Sequence, residues 1–428
     1  MDRMTPFPPQ ALARPLPAIV VAPVVTGDLN AVEMLEACGV LGDGRQVCEL
    51  ATANGQLHIL QYLHARGYDL RTMQTLMPLA EANDRSSVLR FLRDVGAGLV
   101  PVVDAQPVNY PSVSLLLANY NHARYLDTSL AGIFGQRQPA TEVIVVDDGS
   151  TDNSVEVVER YAKRHPNLQF LRNPSNQGQH YSIQRALKAA TSEYIAWASS
   201  DDLLLPRFLE RSLGVLKEHP KAGLCFSRLA VFVDGTTATR VYNEAHAAPF
   251  DYGKEPSYVS PEQLARILKR HYLWMSGNTV VARRDALLEI GGFEADLRWH
   301  ADWFAYYVVA LRYGACMIPD TLAMMRERAG TYSAAGVHNR VAQRKVLQAL
   351  MDVIKSDKYR DLLPVFRRCP SLFSPFGMNM AHATVSAPRH YDFLAPMAQR
   401  YLSQFVRRKL SPVKKAWQRA RQGKAKTP

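Results

Sequence analysis

The chain has 428 residues, 47% of them hydrophobic and 21% charged, which is too long and too apolar for a disordered tail or a small stapled scaffold. At about 100 to 200 residues per domain, it has material for two or three domains with cores of their own. The net charge of +12 is local: residues 400–428 hold ten Lys or Arg and no acid, leaving 41 bases against 39 acids in the rest.

Residues 1–24 contain an apolar stretch, but prolines interrupt it and no cleavage site follows, so they read as a flexible arm rather than a signal peptide. No window offers the roughly 18 uninterrupted apolar residues of a spanning helix. The five cysteines, at 38, 48, 225, 316 and 369, are odd in number and show no CxxC spacing, which argues against a disulfide framework or a zinc ribbon and fits a reducing cytoplasm.

Residues 25–98 repeat themselves. Gly27, Gly55 and Asp84 each open a unit, spaced by 28 and then 29 residues. Leu57, Leu60 and Leu63 recur at helical spacing before Gly67, a residue suited to a helix C-cap, so an array of helical hairpins is expected. The phrase ATANGQLHILQYLHARGYDL resembles a degenerate ankyrin repeat, shorter than the usual period of about 33 and lacking its TPLH signature. Residues 99–111 read as a linker punctuated by Gly and Pro.

From residue 112 the pattern changes. VSLLL, EVIVV, LQFL and EYIAWA are short apolar runs, separated by helical stretches over 123–135, 154–164 and 179–190. Strands alternating with helices predict an α/β domain on a parallel, doubly wound sheet. In such sheets ligands bind beyond the carboxyl ends of the strands. The residues there are Ala118-Asn119-Tyr120-Asn121, Asp147-Asp148-Gly149-Ser150 and Ser199-Ser200-Asp201-Asp202. Taken singly they could be turns or helix caps, the last pair for a helix near Pro206. Together, adjacent carboxylates at a strand end suit Mg²⁺ or Mn²⁺, which leaves positions free for substrate phosphates.

Four segments in order, VSLLLANYNHARYLDTSLAGIFGQ, EVIVVDDGSTDNS, NPSNQGQHYSIQRALKAATSEYIAWASSDDLLLP and SGNTVVARRDALLEIGGFEADLRWHADWF, make residues 113 to about 335 resemble the family 2 glycosyltransferases. The resemblance implies the GT-A (nucleotide-diphospho-sugar transferase) fold, Rossmann-like, over 112–336. By the same resemblance Ala118, Tyr120 and Asp148 lie on the nucleotide, Asp201 on its ribose, Asp202 on a Mn²⁺ or Mg²⁺ ion, and Asp302 is the general base. A carboxylate in that role removes the proton of an acceptor hydroxyl during attack on the anomeric carbon, inverting it.

The sequence departs from the family pattern at three places. The metal motif has Ser200 where an acid is usual, Ala301 precedes Asp302 in place of Glu, and Arg328 in MRERAGTYS stands where the family has His. Arg328 is therefore assigned to the diphosphate oxygens, with Arg326 a weaker candidate. Of the aromatic residues Tyr272, Trp274, Trp299 and Trp303, the last adjoins Asp302 and is the expected acceptor contact, since sugars stack on aromatic faces. His300 reads as structural.

Residues 337–399 read as a helical extension, and 400–428 as a basic tail with an apolar stripe at Leu402, Phe405, Val406 and Leu410 that would suit an anionic membrane surface. The expected function is an inverting, metal-dependent glycosyltransferase acting on a glycan or lipid-linked acceptor in surface polysaccharide biosynthesis, cytoplasmic or peripheral on the inner face of the plasma membrane. Its partners are the nucleotide-sugar donor and the acceptor, with a protein partner on the repeats and no nucleic acid. The competing reading is an inactive glycosyltransferase-like scaffold whose repeats bind a protein. A processive synthase is disfavoured because Ala295 replaces the Gln of a QxxRW motif ending in Arg298-Trp299.

Overall fold

The computed structural model describes residues 24–97 apart from 26, 28, 38–40, 42–43 and 74, then 109–233, 239–241, 252–253, 255–328 and 336–394. The expected arm except Val24, most of the linker and the basic tail lie outside them. No helix among the described residues is long and apolar enough to cross a membrane.

The N-terminal helices are α1 (Leu29–Ala37), α2 (Arg45–Ala53), α3 (Leu57–Ala65), α4 (Leu76–Ala82) and α5 (Ser86–Asp94). Helices α2–α3 and α4–α5 form two equivalent hairpins, each turning through a left-handed residue, Gly55 (φ 73°) in the first and Asp84 (φ 53°) in the second. That equivalence is the 29-residue repeat seen in the sequence. The apolar stripe lies inward as expected, with Ile59, Leu60, Leu63, Leu76, Val88 and Leu92 fully buried.

The α/β part is a ten-stranded mixed sheet in the order β3-β2-β1-β4-β9-β6-β10-β5, with β7 beside β6 and β8 beside β10. Strands β1 (Val113–Asn119), β2 (Glu142–Asp147), β3 (Leu168–Arg172) and β4 (Tyr194–Ser199) form the parallel half. They are linked by α6 (Ala123–Phe134), α7 (Ser154–Ala162) and α8 (Gln179–Ala189). These are the strands and helices read from the sequence, and β1 is a nearly continuous buried run because its neighbours and the helices enclose it on all sides.

The other half comprises β5 (Leu203–Leu204), β6 (Leu224–Val233), β7 (Thr239–Val241), β8 (Ser257–Val259), β9 (Val280–Arg283) and β10 (Ala315–Glu327). Strand β9 runs antiparallel to both β4 and β6, so the sheet reverses direction next to β4. Helix α9 (Phe208–Glu218) starts beyond β5, so Asp201 and Asp202 do not cap it; the short strand intervenes. The α/β class and the parallel first half of the sheet are as expected, and helical regions lie on either side of this domain in sequence.

The repeats share a core with this sheet. Leu203 and Leu205 around β5, Ala230 and Phe232 of β6 and Met324 of β10 belong to one buried cluster with the apolar residues of α2–α5. Glu49, 1% exposed, takes both Nε and Nη2 of Arg137 at 3.0 and 2.9 Å and accepts from Thr75 Oγ1 at 2.9 Å.

The chain divides into two compact units. The first is Met1–Pro261, Trp274–Phe293 and Asp302–Ala329; the second is Glu262–Leu273, Glu294–Ala301 and Gly330–Pro428. Segments 262–273 and 294–301, which lie within the expected 112–336 domain, thus join the C-terminal unit. Helix α10 (Pro261–Leu268) falls almost wholly in that unit; α11 (Arg284–Glu289) and, from Asp302 on, α12 (Ala301–Tyr313) belong to the first. The second unit also has α13 (Arg340–Lys355), α14 (Leu363–Arg368) and α15 (Gly377–Val385), packed through Leu347, Leu350, Phe366 and Met380.

Candidate active site

Because β2, β1 and β4 are adjacent and parallel, their carboxyl ends bring together Asp148, Tyr120 and Asp201-Asp202 on one edge of the sheet. Ala118 sits one residue inside that edge, in register with Val146 on one side and Ser199 on the other.

The β1 and β2 ends are sewn to each other. Asn119 Nδ2 donates to Asp147 Oδ1 at 2.9 Å, the backbone N of Asn121 donates to Ser150 Oγ at 2.9 Å, and Asn121 Oδ1 accepts from Thr151 N at 2.8 Å. Gly149 turns at φ 74°, and a Cβ there would lie 2.7 Å from the backbone of Ser175, so this turn requires glycine. Tyr120, left at the rim, is 41% exposed.

Asp148 is only 3% exposed. Its Oδ1 accepts from Asn173 Nδ2 at 2.6 Å and Gln177 N at 2.9 Å, and its Oδ2 from Gly178 N at 2.8 Å, just before α8. A carboxylate offers about four acceptor positions, which leaves one on Oδ2 for a ligand N–H.

At the end of β4, the antiparallel pairing of Leu203 with Met324 draws the end of β10 over the paired aspartates. Arg328 donates from Nη2 at 3.0 Å and Nε at 3.2 Å to Asp201 Oδ2. Arg326 donates its backbone N to Asp202 Oδ1 at 2.8 Å and its Nε to the carbonyl of Asp201 at 2.9 Å. Both guanidinium groups lie over the ring of Tyr125, at 4.7 and 5.2 Å.

Two residues not assigned from the sequence complete this edge. His122 lies 2.7 Å from Arg328 Nη2 through Nε2, and 2.6 Å from Ser200 Oγ through Nδ1. A guanidinium can only donate, so Nε2 accepts and the proton sits on Nδ1. Burial holds the His122 pKa below its ordinary value, in keeping with this neutral form. Asn278, in the 3₁₀ turn Gly277–Thr279, donates to Asp202 Oδ2 at 3.0 Å while Ser276 Oγ donates to its Oδ1 at 2.8 Å, which fixes the orientation of the amide.

Burial, and secondly the charge of Asp201, push the Asp202 carboxyl up to about 7. Among the described residues no group of three or more His, Cys, Asp or Glu is arranged around a metal. Asp202 still suits a hard divalent cation: Arg328 already neutralises Asp201, the hydrogen bonds to the Asp202 carboxylate among the described residues come from a backbone N–H and an amide, and Mg²⁺ or Mn²⁺ needs only one or two protein carboxylates when phosphates supply the rest.

The turn that holds Asp202 also meets Asp302. A Cβ on Gly277 would lie 3.4 Å from Asp302 Oδ2, so the missing side chain lets the turn approach this carboxylate. Asp302, in the first turn of α12, accepts from Trp303 N at 2.7 Å. Burial pushes its pKa up to about 6. The structure thus gathers Tyr120, Asp148, Asp201, Asp202, Arg326 and Arg328 on one edge and ties Asp302 to it through the Gly277–Thr279 turn.

The aromatic residues separate. Trp303 is 7% exposed, its ring 5.1 Å from that of Tyr307. Trp299 belongs to the C-terminal unit, where its Nε1 donates to Gln343 Oε1 at 2.7 Å. His300, buried beside the same amide, has its pKa lowered to about 4 by burial.

Residues 114–291 match the family model described as glycosyl transferase family 2. An uncharacterized protein of Mycobacterium tuberculosis, Rv1520, is 26% identical over 263 residues, spanning 59% of this chain and 71% of the relative. An uncharacterized glycosyltransferase of Nostoc sp., alr2836, is 33% identical over 112 residues, 26% of this chain and 35% of its own. Among solved structures, residues 1–349 of S. aureus TarS with UDP-GlcNAc align at a TM-score of 0.47 and 18% identity, over 67% of this chain and 80% of that one. The mannosyltransferase PcManGT of Pyrobaculum calidifontis, with GDP-Man and Mn²⁺, aligns at 0.44 and 20% identity, over 77% and 87%. Residues 114–291 are thus similar to the family 2 glycosyltransferases.

Proposed function

We propose that the protein is an inverting glycosyltransferase that moves a sugar from a nucleotide-diphosphate donor to a hydroxyl of a glycan or lipid-linked acceptor, in surface polysaccharide biosynthesis. The observation that carries this reading is the joining of two sites by one turn. Asn278 binds the donor-side carboxylate Asp202, and its neighbour Gly277 abuts Asp302.

Tyr120 at the rim and the free acceptor position of Asp148 would take the nucleotide base beside Ala118, and Asp201 the ribose. Arg328 and Arg326 set two positive charges where a diphosphate would lie, and their hold on Asp201 and Asp202 keeps them from straying before the donor arrives. A divalent ion on Asp202, Mn²⁺ or Mg²⁺, would supply further positive charge to the departing nucleoside diphosphate. Asp302 accepts the proton of the acceptor hydroxyl as it attacks the anomeric carbon, with Trp303 beside it on the acceptor side. A pKa near 6 suits this work: the carboxylate is ionised at neutral pH yet more basic than an ordinary one. A single displacement from the face opposite the leaving group inverts the anomeric centre. The basic tail, outside the described residues, would place the enzyme at an anionic inner membrane surface, and the ankyrin-like repeats would remain available to a protein partner on their outward faces.

Calorimetry of UDP, GDP and their sugar conjugates, with and without Mn²⁺, on the wild type and Asp202→Ala tests this reading. Metal-dependent binding that the variant loses is expected. Absence of binding to any of them by the folded wild type refutes it and favours the scaffold.

A further inference from the structure

Behind Asp302 lies a polar cluster that the donor and acceptor assignments leave unused. Tyr306, one turn further along α12 on the same face, is fully buried, and its hydroxyl has no hydrogen-bond partner within ordinary geometry. The indole N–H of Trp197, in β4, is also buried and faces the Tyr306 hydroxyl outside ordinary hydrogen-bond geometry. Buried polar groups without an ordinary partner call for an explanation, and these two lie together. Phe293 locks the two rings in place, 5.3 Å from Trp197 and 6.1 Å from Tyr306, both edge-on.

The Tyr306 hydroxyl and the Asp302 carboxylate border the same gap beside Gly277. The space left by the absent Gly277 side chain opens onto both groups: a Cβ there would be 3.4 Å from Asp302 Oδ2 and 3.9 Å from Tyr306 Oη. Trp197 Nε1 is the hydrogen-bonding side chain next to that hydroxyl, and an indole only donates. Toward Trp197 the hydroxyl must accept, which leaves its own proton for an acceptor on the other side. The charged acceptor there is the carboxylate of Asp302, whose charge, after burial, raises the Tyr306 pKa well above the ordinary value and so keeps the phenol protonated. The other groups that favour ionised Asp302 are backbone N–H groups, including those of Trp303 and Gly277. Among the described residues, the groups acting on Asp302 besides burial are these backbone N–H groups, and Tyr306 Oη is the side-chain hydroxyl that shares its gap beside Gly277.

We propose that Tyr306 is a positioning residue for the base: its hydroxyl, oriented by the Trp197 N–H, donates to the Asp302 carboxylate through one bridging water and holds it ionised and aimed at the acceptor. The proposal rests on the reading of Asp302 as the general base, and it predicts a property of the carboxyl group that needs no substrate to measure.

The test is an infrared titration of the carboxyl stretch of the full-length protein between pH 4 and 9, with the Asp302 signal assigned by its loss in Asp302→Asn. Tyr306→Phe should raise the Asp302 midpoint by about one pH unit, a tenfold gain in proton affinity, and Trp197→Phe should raise it by a smaller amount. A midpoint unmoved in a folded Tyr306→Phe, or moved only by Trp197→Phe, overturns the proposal. If Tyr306→Phe does not fold, Trp197→Phe decides alone: an unchanged midpoint refutes. Retained glycosyl transfer by Asp302→Asn would refute the base assignment while leaving the titration result to stand or fall on its own.

Discussion

Replacing Asp302 by Asn should abolish transfer and at the same time make the protein more stable at neutral pH. Burial raises the carboxyl from its ordinary 3.8 to about 6, and folding therefore favours the protonated form. With a folded pKa above the unfolded one, the stabilising contribution is complete below about pH 4 and is lost as pH rises to about 6. At pH 7.5 the ionised group then costs about 3 kcal/mol. An Asn avoids that cost, but its amide turns a donor toward one of the two backbone N–H groups, Trp303 or Gly277, that the carboxylate accepts from. Losing that bond returns about 1 to 1.5 kcal/mol. The net gain is about 1.5 to 2 kcal/mol, growing between pH 4 and 6 and constant above, as read from urea unfolding of wild type and variant across that range. A variant no more stable than wild type at pH 7.5, or a difference that ignores pH, would refute the buried, strained base on which the proposed mechanism depends.

Two further substitutions probe the donor edge and the repeats. Arg328→Lys replaces a planar fork that meets Asp201 through two nitrogens and His122 through one of them by a single ammonium, so UDP or GDP binding by calorimetry should weaken about tenfold, with the fold intact. Arg137→Ala leaves Glu49 charged and buried with only Thr75 Oγ1 as a side-chain donor, and should cost about 3–5 kcal/mol in urea unfolding; replacing both partners with Leu should recover most of it.

Much of the fold was legible because it is written in short-range patterns. EVIVVD is a strand whichever sheet receives it, and the 29-residue recurrence between Gly55 and Asp84 marks the two helical hairpins whose turns both adopt left-handed backbone. The candidate site was legible wherever a residue ends a parallel strand. Asn278 was not: it reaches Asp202 only because β9 pairs antiparallel with β4, a contact between residues 76 apart that no local pattern encodes. His122 sits inside the quoted motif ANYNHARYL, and its partner Arg328 had been singled out, but the distance between them in sequence hid the pairing. Tyr306 lies at helical spacing from Asp302, the one signal that pointed to it. The aromatic residues misled as a group, since proximity in sequence placed Trp299 with Trp303 whereas folding sends Trp299 to Gln343 in the C-terminal unit.

The position of the repeats follows from the sheet's needs. A mixed sheet whose last strands are β6, β10 and the two-residue β5 leaves an apolar face that must be covered. Leu203, Leu205, Ala230, Phe232 and Met324 present that face, and the inner sides of α2–α5 bury it. The same segments carry the donor edge: Leu203 follows Asp202 directly, Met324 is two residues before Arg326, and Phe232 lies under the Arg326 guanidinium at 4.5 Å. Loosening the repeats would therefore move the backbone that aims Asp202 and Arg326, and a 1 Å error there is enough to cost about 10²-fold in rate. Helices that could have been an independent binding module have instead their apolar sides committed to the strands that carry the candidate site.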